Sequence, residues 1–513
     1  MGSEMCIRDR YKEVSLIFNK WKWRRFFMLG MDRNTLLKIQ IIEILDGLQA
    51  PISLKELREK IGYASLGTIR MNCKELQMII DQLYTEEDYS LKLRMNNGRG
   101  IQLDRSSTNL QTLTSYLYQH DLACEIIRTI LVKRKISAIQ FCMDKNISES
   151  KLRRKIKEIN QELKDSDLYI SCSAKISLKG REVDIRRFYY VFVRGLYHQF
   201  TQVAGINTDS YLQLADQIED YLKIKNNPTN LEMISFWLLI TNQSLIKKSP
   251  LVFNAAEVEQ LNRFKYPKKP DFLKMWDNDE WRFFLYAIYS SLLNDFELQP
   301  KNASKERFFT EATACWIDAF STHFRSLNLK EQKSVGRKLR QHYSAFSFFR
   351  LNLPLVTQLS INVGLTRVET QFPYYYRRFQ AFWQDFTRKM PEYDRPQLQM
   401  YTILTCMTLY PLENCLPKIS VYVFSELSEL FASFIQQKID LHFKNQYHLD
   451  FVEAPQEAQL IIGTSPTCNN FLLENQKSVV IRSNVSPADY HDIEQILDSL
   501  VKKDLENNQI ELN

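Results

Sequence analysis

The sequence predicts a multidomain, mainly α chain: two winged helix-turn-helix units, two helical bundles and one small α/β domain with a parallel sheet. Three observations carry this. A helix–helix–helix–hairpin pattern occurs twice in succession near the N-terminus. A long middle stretch shows almost only helical periodicity. Towards the C-terminus, short apolar strands alternate with helices, as a small open parallel sheet requires.

The first unit begins after Asp32. Leu36, Leu37, Ile41, Ile44, Leu45 and Leu48 recur at helical spacing, and Gly47 to Pro51 marks a turn. Ser53-Leu54-Lys55-Glu56 has the form of a capping box: a hydroxyl caps the helix start and a glutamate three residues on reaches back. The helix it opens runs to Ile61, and Gly62 ends it. Ser65 caps a third helix with a stripe of Ile69, Cys73, Leu76, Ile80 and Leu83 at 4-3-4-3 spacing. The short turn between these helices is the helix-turn-helix signal. The opposite face carries Thr68, Arg70, Met71, Asn72 and Lys74, side chains suited to base edges and phosphates. Leu91–Arg94 and Ile101–Leu103 flank an Asn/Gly turn, which predicts a hairpin wing charged by Arg94 and Arg99.

The pattern then repeats. Leu122, Ile126, Ile127, Ile130 and Leu131 form a helix, and Ser137 to Lys145 a short second one. Ser148 caps a third, with Leu152, Ile156, Ile159 and Leu163 buried and Lys151, Arg153, Arg154, Lys155 and Lys157 on the exposed face. Leu168–Cys172 and Lys175–Arg181 form a second wing, with Lys175 and Lys179 as its cations. A single cationic helix face is usually only solvated. Two consecutive units with a cationic third helix and a wing point to duplex DNA.

The net charge of +8 over 513 residues is mild and carries little of this reading. Apolar residues make up 44% and charged residues 25%, an ordinary globular balance. With only 13 Gly and 15 Pro, long helices are favoured over all-β folds. Nine cysteines without a C-x-x-C pair support neither a disulfide framework nor a zinc site, and fit a reducing cytoplasm. No apolar run is long enough to span a bilayer. Residues 1–30 read as a leader: Met1–Arg10 resembles tag or adapter translation, and the basic, aromatic Tyr11–Gly30 reads as upstream sequence before a start near Met28 or Met31. The other reading of Tyr11–Gly30 is a membrane-surface helix.

From about Ile185 to Cys415 the apolar residues follow a helical period. Phe188, Val191, Phe192, Gly195, Leu196 and Phe200 form one helix, and Leu212 to Leu222 and Trp237 to Ile246 two more. A break at Asn294–Ser304 separates a second stretch that begins with Phe308, Ala312, Cys315, Trp316, Ala319 and Phe320. After Pro417 come strands at Ile419–Phe424, His448–Val452, Gln459–Gly463 and Ser478–Ile481, with helices at Leu427–Ile439 and Asp489–Leu505. The expected boundaries are 31–105 and 106–187 for the winged units, 188–297 and 298–415 for the bundles, and 416–513 for the α/β domain.

The run Ile52-Ser53-Leu54-Lys55-Glu56-Leu57, with the helix after it, and Leu178-Lys179-Gly180-Arg181-Glu182-Val183-Asp184-Ile185-Arg186 resemble the Mga/AtxA family of virulence and carbohydrate-linked regulators. The resemblance runs from Met31 to the C-terminus. It implies a transcription activator with two winged units, two domains like those regulated by the sugar phosphotransferase system, and a C-terminal domain similar to enzyme IIB. It further implies promoter DNA, RNA polymerase and the phosphocarrier protein HPr as partners, with a homodimer formed through the C-terminal region. In that family, histidines of the regulated domains accept phosphate from HPr, which makes His198, His323 and His342 the candidates. The alternative for each is a partly buried helix histidine with a structural role only. In enzyme IIB a cysteine just after the first strand carries phosphate. Phe424-Ser425-Glu426 stands there instead, so phosphotransfer by this domain is not expected.

The chain is not expected to be an enzyme, and no cofactor or metal is expected. It has no Walker loop, no H-E-x-x-H and no G-x-S-x-G. Cys468 follows Gly463-Thr464-Ser465-Pro466 but has no placed base, so it reads as an ordinary cysteine. Two other functions compete: an RNA-binding antiterminator, which would begin with a small β-rich domain, and a phosphotransferase-system component, which the missing cysteine argues against.

Overall fold

The computed structural model describes residues 29–510, apart from 49, 86–89, 97–99, 198, 204, 226, 293–295, 302 and 350–367. Two compact units emerge: residues up to 310 with 339–362, and 311–338 with 363 onward.

In the first compact unit, α1 (Arg33–Asp46), α2 (Leu54–Ile61) and α3 (Leu66–Leu83) lead into a hairpin of β1 (Ser90–Asn96) and β2 (Gly100–Ser106). The Ser53 capping box is formed in both directions, with Glu56 N donating to Ser53 Oγ at 3.2 Å and Ser53 N to Glu56 Oε2 at 2.7 Å. Gly100 sits at φ 94, and a Cβ there would come within 2.5 Å of the Ile52 carbonyl. Only glycine lets the wing close on the segment before α2, where Ile52 and Ile101 exchange backbone hydrogen bonds. α4 (Gln111–Gln119) packs Leu113 and Leu117 into this first core, although its residues fall in the span expected for the second winged unit.

The second winged unit comprises α5 (Leu122–Lys133), β3 (Ile136–Ser137), α6 (Ala138–Lys145), α7 (Glu149–Leu163), β4 (Tyr169–Cys172) and β5 (Lys175–Lys179). Its wing is a three-stranded antiparallel sheet, ordered β3-β5-β4. α8 (Glu182–Leu196) follows at once. One continuous hydrophobic core joins this unit to the helices beyond it: α9 (Thr208–Leu222), α10 (Pro228–Ile246), α11 (Ala255–Leu261) and, after β6 (Phe264–Lys265), α12 (Asn278–Ser290). An ion-pair chain crosses the same joint. Arg186, fully buried on α8, binds both oxygens of Glu280 at 2.5 and 3.0 Å and Glu182 at 2.9 Å, while Arg134 at the end of α5 holds Glu182 at 3.0 Å.

The helix expected to reach Phe200 stops earlier. α8 ends at Leu196 with Tyr197 extended, and Phe200 opens a separate 3-10 turn whose amide donates to the Glu232 carboxylate. β7 (Gln299–Pro300) pairs antiparallel with β6 across the intervening α12, a short two-stranded ladder that helical periodicity did not predict. α13 (Ala303–His323) and α14 (Leu329–Phe348) follow.

In the second compact unit, α15 (Val368–Gln371), α16 (Pro373–Lys389) and α17 (Pro396–Leu409) precede the α/β domain. That domain comprises β8 (Lys418–Phe424), α18 (Glu429–Phe443), β9 (His448–Phe451), β10 (Leu460–Gly463), β11 (Lys477–Val480) and α19 (Pro487–Ile510). The four strands are all parallel, in the order β11-β10-β8-β9. Leu460 and Ile462 point into the core with Val421, Val423, Ile435 and Ile439.

Candidate nucleic-acid interface

The two third helices, α3 and α7, are built alike. Ser65 and Ser148 each cap their helix by accepting from the amide three residues on, Thr68 N at 3.1 Å and Lys151 N at 3.2 Å. Ile69, Cys73, Leu76 and Ile80 on α3 and Leu152, Ile156, Ile159 and Leu163 on α7 occupy the same helical positions, and all eight are buried. Counting from the caps, Arg70 matches Arg153, Met71 matches Arg154 and Lys74 matches Lys157. All six are exposed. Thr68 and Lys151 also match, but Thr68 is half-buried and its hydroxyl lies 2.8 Å from Ser65 Oγ, within the cap.

Two residues assigned to the exposed faces are in fact inside. Asn72 is fully buried, with Nδ2 donating to the Thr68 carbonyl at 2.8 Å. Lys155 is 5% exposed, and its ammonium donates to Gly30 O at 2.6 Å, Glu158 at 2.7 Å and Asp32 at 2.8 Å. Burial alone would lower its pKa, but the hydrogen bonds to Asp32 and Glu158 outweigh this and hold it above the ordinary lysine value. The two positions are equivalent: each lies three residues after one buried stripe residue and four before another, on the flank of the stripe. Whether a flank is wet depends on what packs beside it. For Lys155 that is Gly30 and Asp32, with Leu29 and Met31 buried next to them.

The remaining expected contacts are distributed over the helix and the wings. Arg153 binds Glu149 and donates to the Cys172 carbonyl at 3.3 Å, so it ties α7 to its wing while staying about half exposed. Arg94 projects from β1 and is partly neutralised by Asp104 at 2.8 Å. Lys175 and Lys179 are exposed at the two ends of β5. Arg99 lies outside the described residues. Sequence reasoning passed over Lys92, which is exposed on β1 opposite Asp104; the strand alternation that buries Leu91 and Leu93 could have found it.

Residues 106–193 match the Mga helix-turn-helix domain. That stretch carries a helix-turn-helix domain of the Mga type. The match covers the second winged unit and most of α8, and an Mga helix-turn-helix domain is that of a DNA-binding transcription regulator. No curated protein matches this chain. Among the described residues no helix is long and apolar enough to cross a membrane, and no His/Cys/Asp/Glu group could hold a metal ion.

Two of the three candidate phosphoacceptors lie among the described residues. His198 lies outside the described residues. His342 is half-buried on α14, in the first compact unit. His323 belongs to the second, where its Nε2 lies 2.5 Å from Asp385 Oδ2 on α16. The hydrogen bond to His323, with Arg388 beside it, holds the Asp385 carboxyl below the usual carboxylate range. In the α/β domain Glu426 accepts from the Thr464 hydroxyl at 2.5 Å, linking the loops after β8 and β10. Cys468 is fully buried, and burial pushes its thiol pKa up. It sits so close to Gly463 that a Cβ on that glycine would lie 2.4 Å from its Sγ. A thiol so placed is packing, not a nucleophile.

Proposed function

We propose that this chain activates transcription by docking both winged units on promoter duplex as a homodimer, under the control of histidine phosphorylation. One observation carries the DNA contact. Arg70, Met71 and Lys74 on α3 recur as Arg153, Arg154 and Lys157 on α7, exposed at matching helical positions beside a wing. In such units the N-terminal half of the third helix enters the major groove and the wing follows the backbone. Lys151, Arg153, Arg154 and Lys157 then serve affinity, with Lys175, Lys179 and Arg94 on phosphates. Thr68, Arg70 and Lys74 serve sequence choice.

Two features support the rest of the reading. Leu427, Leu430, Phe431, Phe434 and Leu441 are all exposed on or just before α18, an apolar face that a second C-terminal domain would cover. The imidazole of His323, oriented by Asp385, is a nucleophile suited to a phosphohistidine donor such as HPr, with His198 and His342 as further acceptors.

The test is a mobility-shift titration with duplex and single-stranded RNA probes over a range of salt. Replacing Arg70 and Arg154 together by Ala is expected to weaken duplex binding by about 1–3 kcal/mol per lost base contact. Each lost phosphate contact should flatten the salt slope by about one unit. Unchanged affinity in the double variant, or equal preference for RNA, overturns the proposal.

A further inference from the structure

A cavity of about 190 Å³ lies at the joint between the second winged unit and the helices that follow it. One wall is the turn after α7, with Asp165 and Asp167, and Arg181 at the end of the wing. The other is built from α11, α12 and the end of α14, including Asn254, Glu257, Phe283 and Phe348. α8 contributes Asp184 and Arg187 between them. The cavity is smaller than the usual drug-sized pocket of about 300 Å³ or more.

The lining chemistry selects the occupant. Arg187 has only 8% of its side chain exposed and lies over the Phe348 ring at 4.6 Å. Its Nη1 is taken by Asp184 at 3.0 Å and Glu257 at 3.1 Å, while its Nε–H has no partner among the described residues. Arg181 also binds Glu257. Two guanidiniums thus face four carboxylates, Asp165, Asp167, Asp184 and Glu257. This excess of negative charge disfavours a phosphate or carboxylate ligand. An ammonium would leave the buried Arg187 donor without an acceptor, a cost that persists as long as the group stays dry. A hydroxyl can accept from Arg187 Nε–H and donate to a carboxylate lone pair at once. The aromatic walls suit the C–H face of a ring.

We propose that this cavity binds a neutral polyhydroxylated molecule the size of one monosaccharide. The ligand touches the winged unit and the adjoining helices together. It therefore bears directly on the joint that carries the Arg134–Glu182–Arg186–Glu280 chain.

Thermal unfolding of the full chain tests this with millimolar glucose, galactose, mannose, ribose and myo-inositol. Glucose 6-phosphate and putrescine serve as the charged alternatives. At least one neutral polyol is expected to raise the melting temperature in a concentration-dependent manner, by mass action on the folded state. Ala256→Trp fills the mouth from an exposed position on α11, and Gln260→Leu removes a polar lining group. Each should weaken the polyol response by about ten-fold or more, a change of about 1.4 kcal/mol in binding. Protection by none of the polyols, protection only by the phosphate or the diamine, or an undiminished response in Gln260→Leu each overturns the proposal. Gln260→Leu keeps the question decidable if Ala256→Trp does not fold.

Discussion

Replacing Lys155 by Met separates stability from DNA binding. The substitution keeps most of the aliphatic volume and deletes the ammonium that donates to Gly30 O, Asp32 and Glu158. A charge-assisted hydrogen bond contributes about 1.5–3 kcal/mol, and removing one member of a buried pair costs about 3–5 kcal/mol. Here the two carboxylates are 49% and 42% exposed and regain water once released, so the lower part of that range applies. The loss should be about 2 kcal/mol, or about 4–8 °C in melting temperature for a cooperative unit of some 150–250 residues. Because Lys155 is held above its unfolded pKa of about 10.4, its contribution is fully present below that pH and fades as the pH rises through the folded value. Thermal unfolding from neutral pH to about pH 11 should therefore show wild type and variant converging at the alkaline end. Mobility shift at a temperature where both are folded should show equal duplex affinity. Arg154→Ala should do the opposite, leaving the melting temperature unchanged and weakening DNA binding. An unchanged melting temperature with reduced affinity in Lys155→Met would put that side chain on the DNA face and refute the reasoning.

Iodoacetamide should leave Cys468 unmodified in the native protein at pH 8 and label it in urea, as measured by peptide mass spectrometry; native labelling would contradict its burial. Leu430→Asp with Phe434→Asp, on the exposed face of α18, should shift a dimer to monomer in sedimentation without unfolding it; an unchanged sedimentation coefficient would exclude this face as the contact. The Asp385 carboxyl should titrate below the ordinary carboxylate range by NMR and rise towards it in His323→Ala, with Arg388 and Lys389 still holding part of the depression. Its stabilising share is present at neutral pH and is lost as the pH falls through that lowered value. Incubation with enzyme I, HPr and phosphoenolpyruvate should label the chain, and undiminished labelling in a protein with His198, His323 and His342 all replaced by Ala would remove the case for these histidines.

Sequence alone determined the features that depend on near neighbours along the chain. The Ser53, Ser65 and Ser148 caps, the buried stripes of α3 and α7, both wings and the four strands of the α/β domain are each set by residues a few positions apart, where capping, helical period and strand alternation act. That is why the tandem winged pattern and its cationic face were legible before any fold was known. Tertiary structure decided what lies beside each element. Asn72 and Lys155 sit on helix flanks whose exposure is a property of the neighbour, and for Lys155 that neighbour is more than a hundred residues away. Tertiary packing also ended α8 at Leu196 and merged the second winged unit with the following helices into one core. The Arg186–Glu280 pair and the cavity beside Arg187 arise only there, because charges far apart in sequence share low-dielectric space only once the chain has folded.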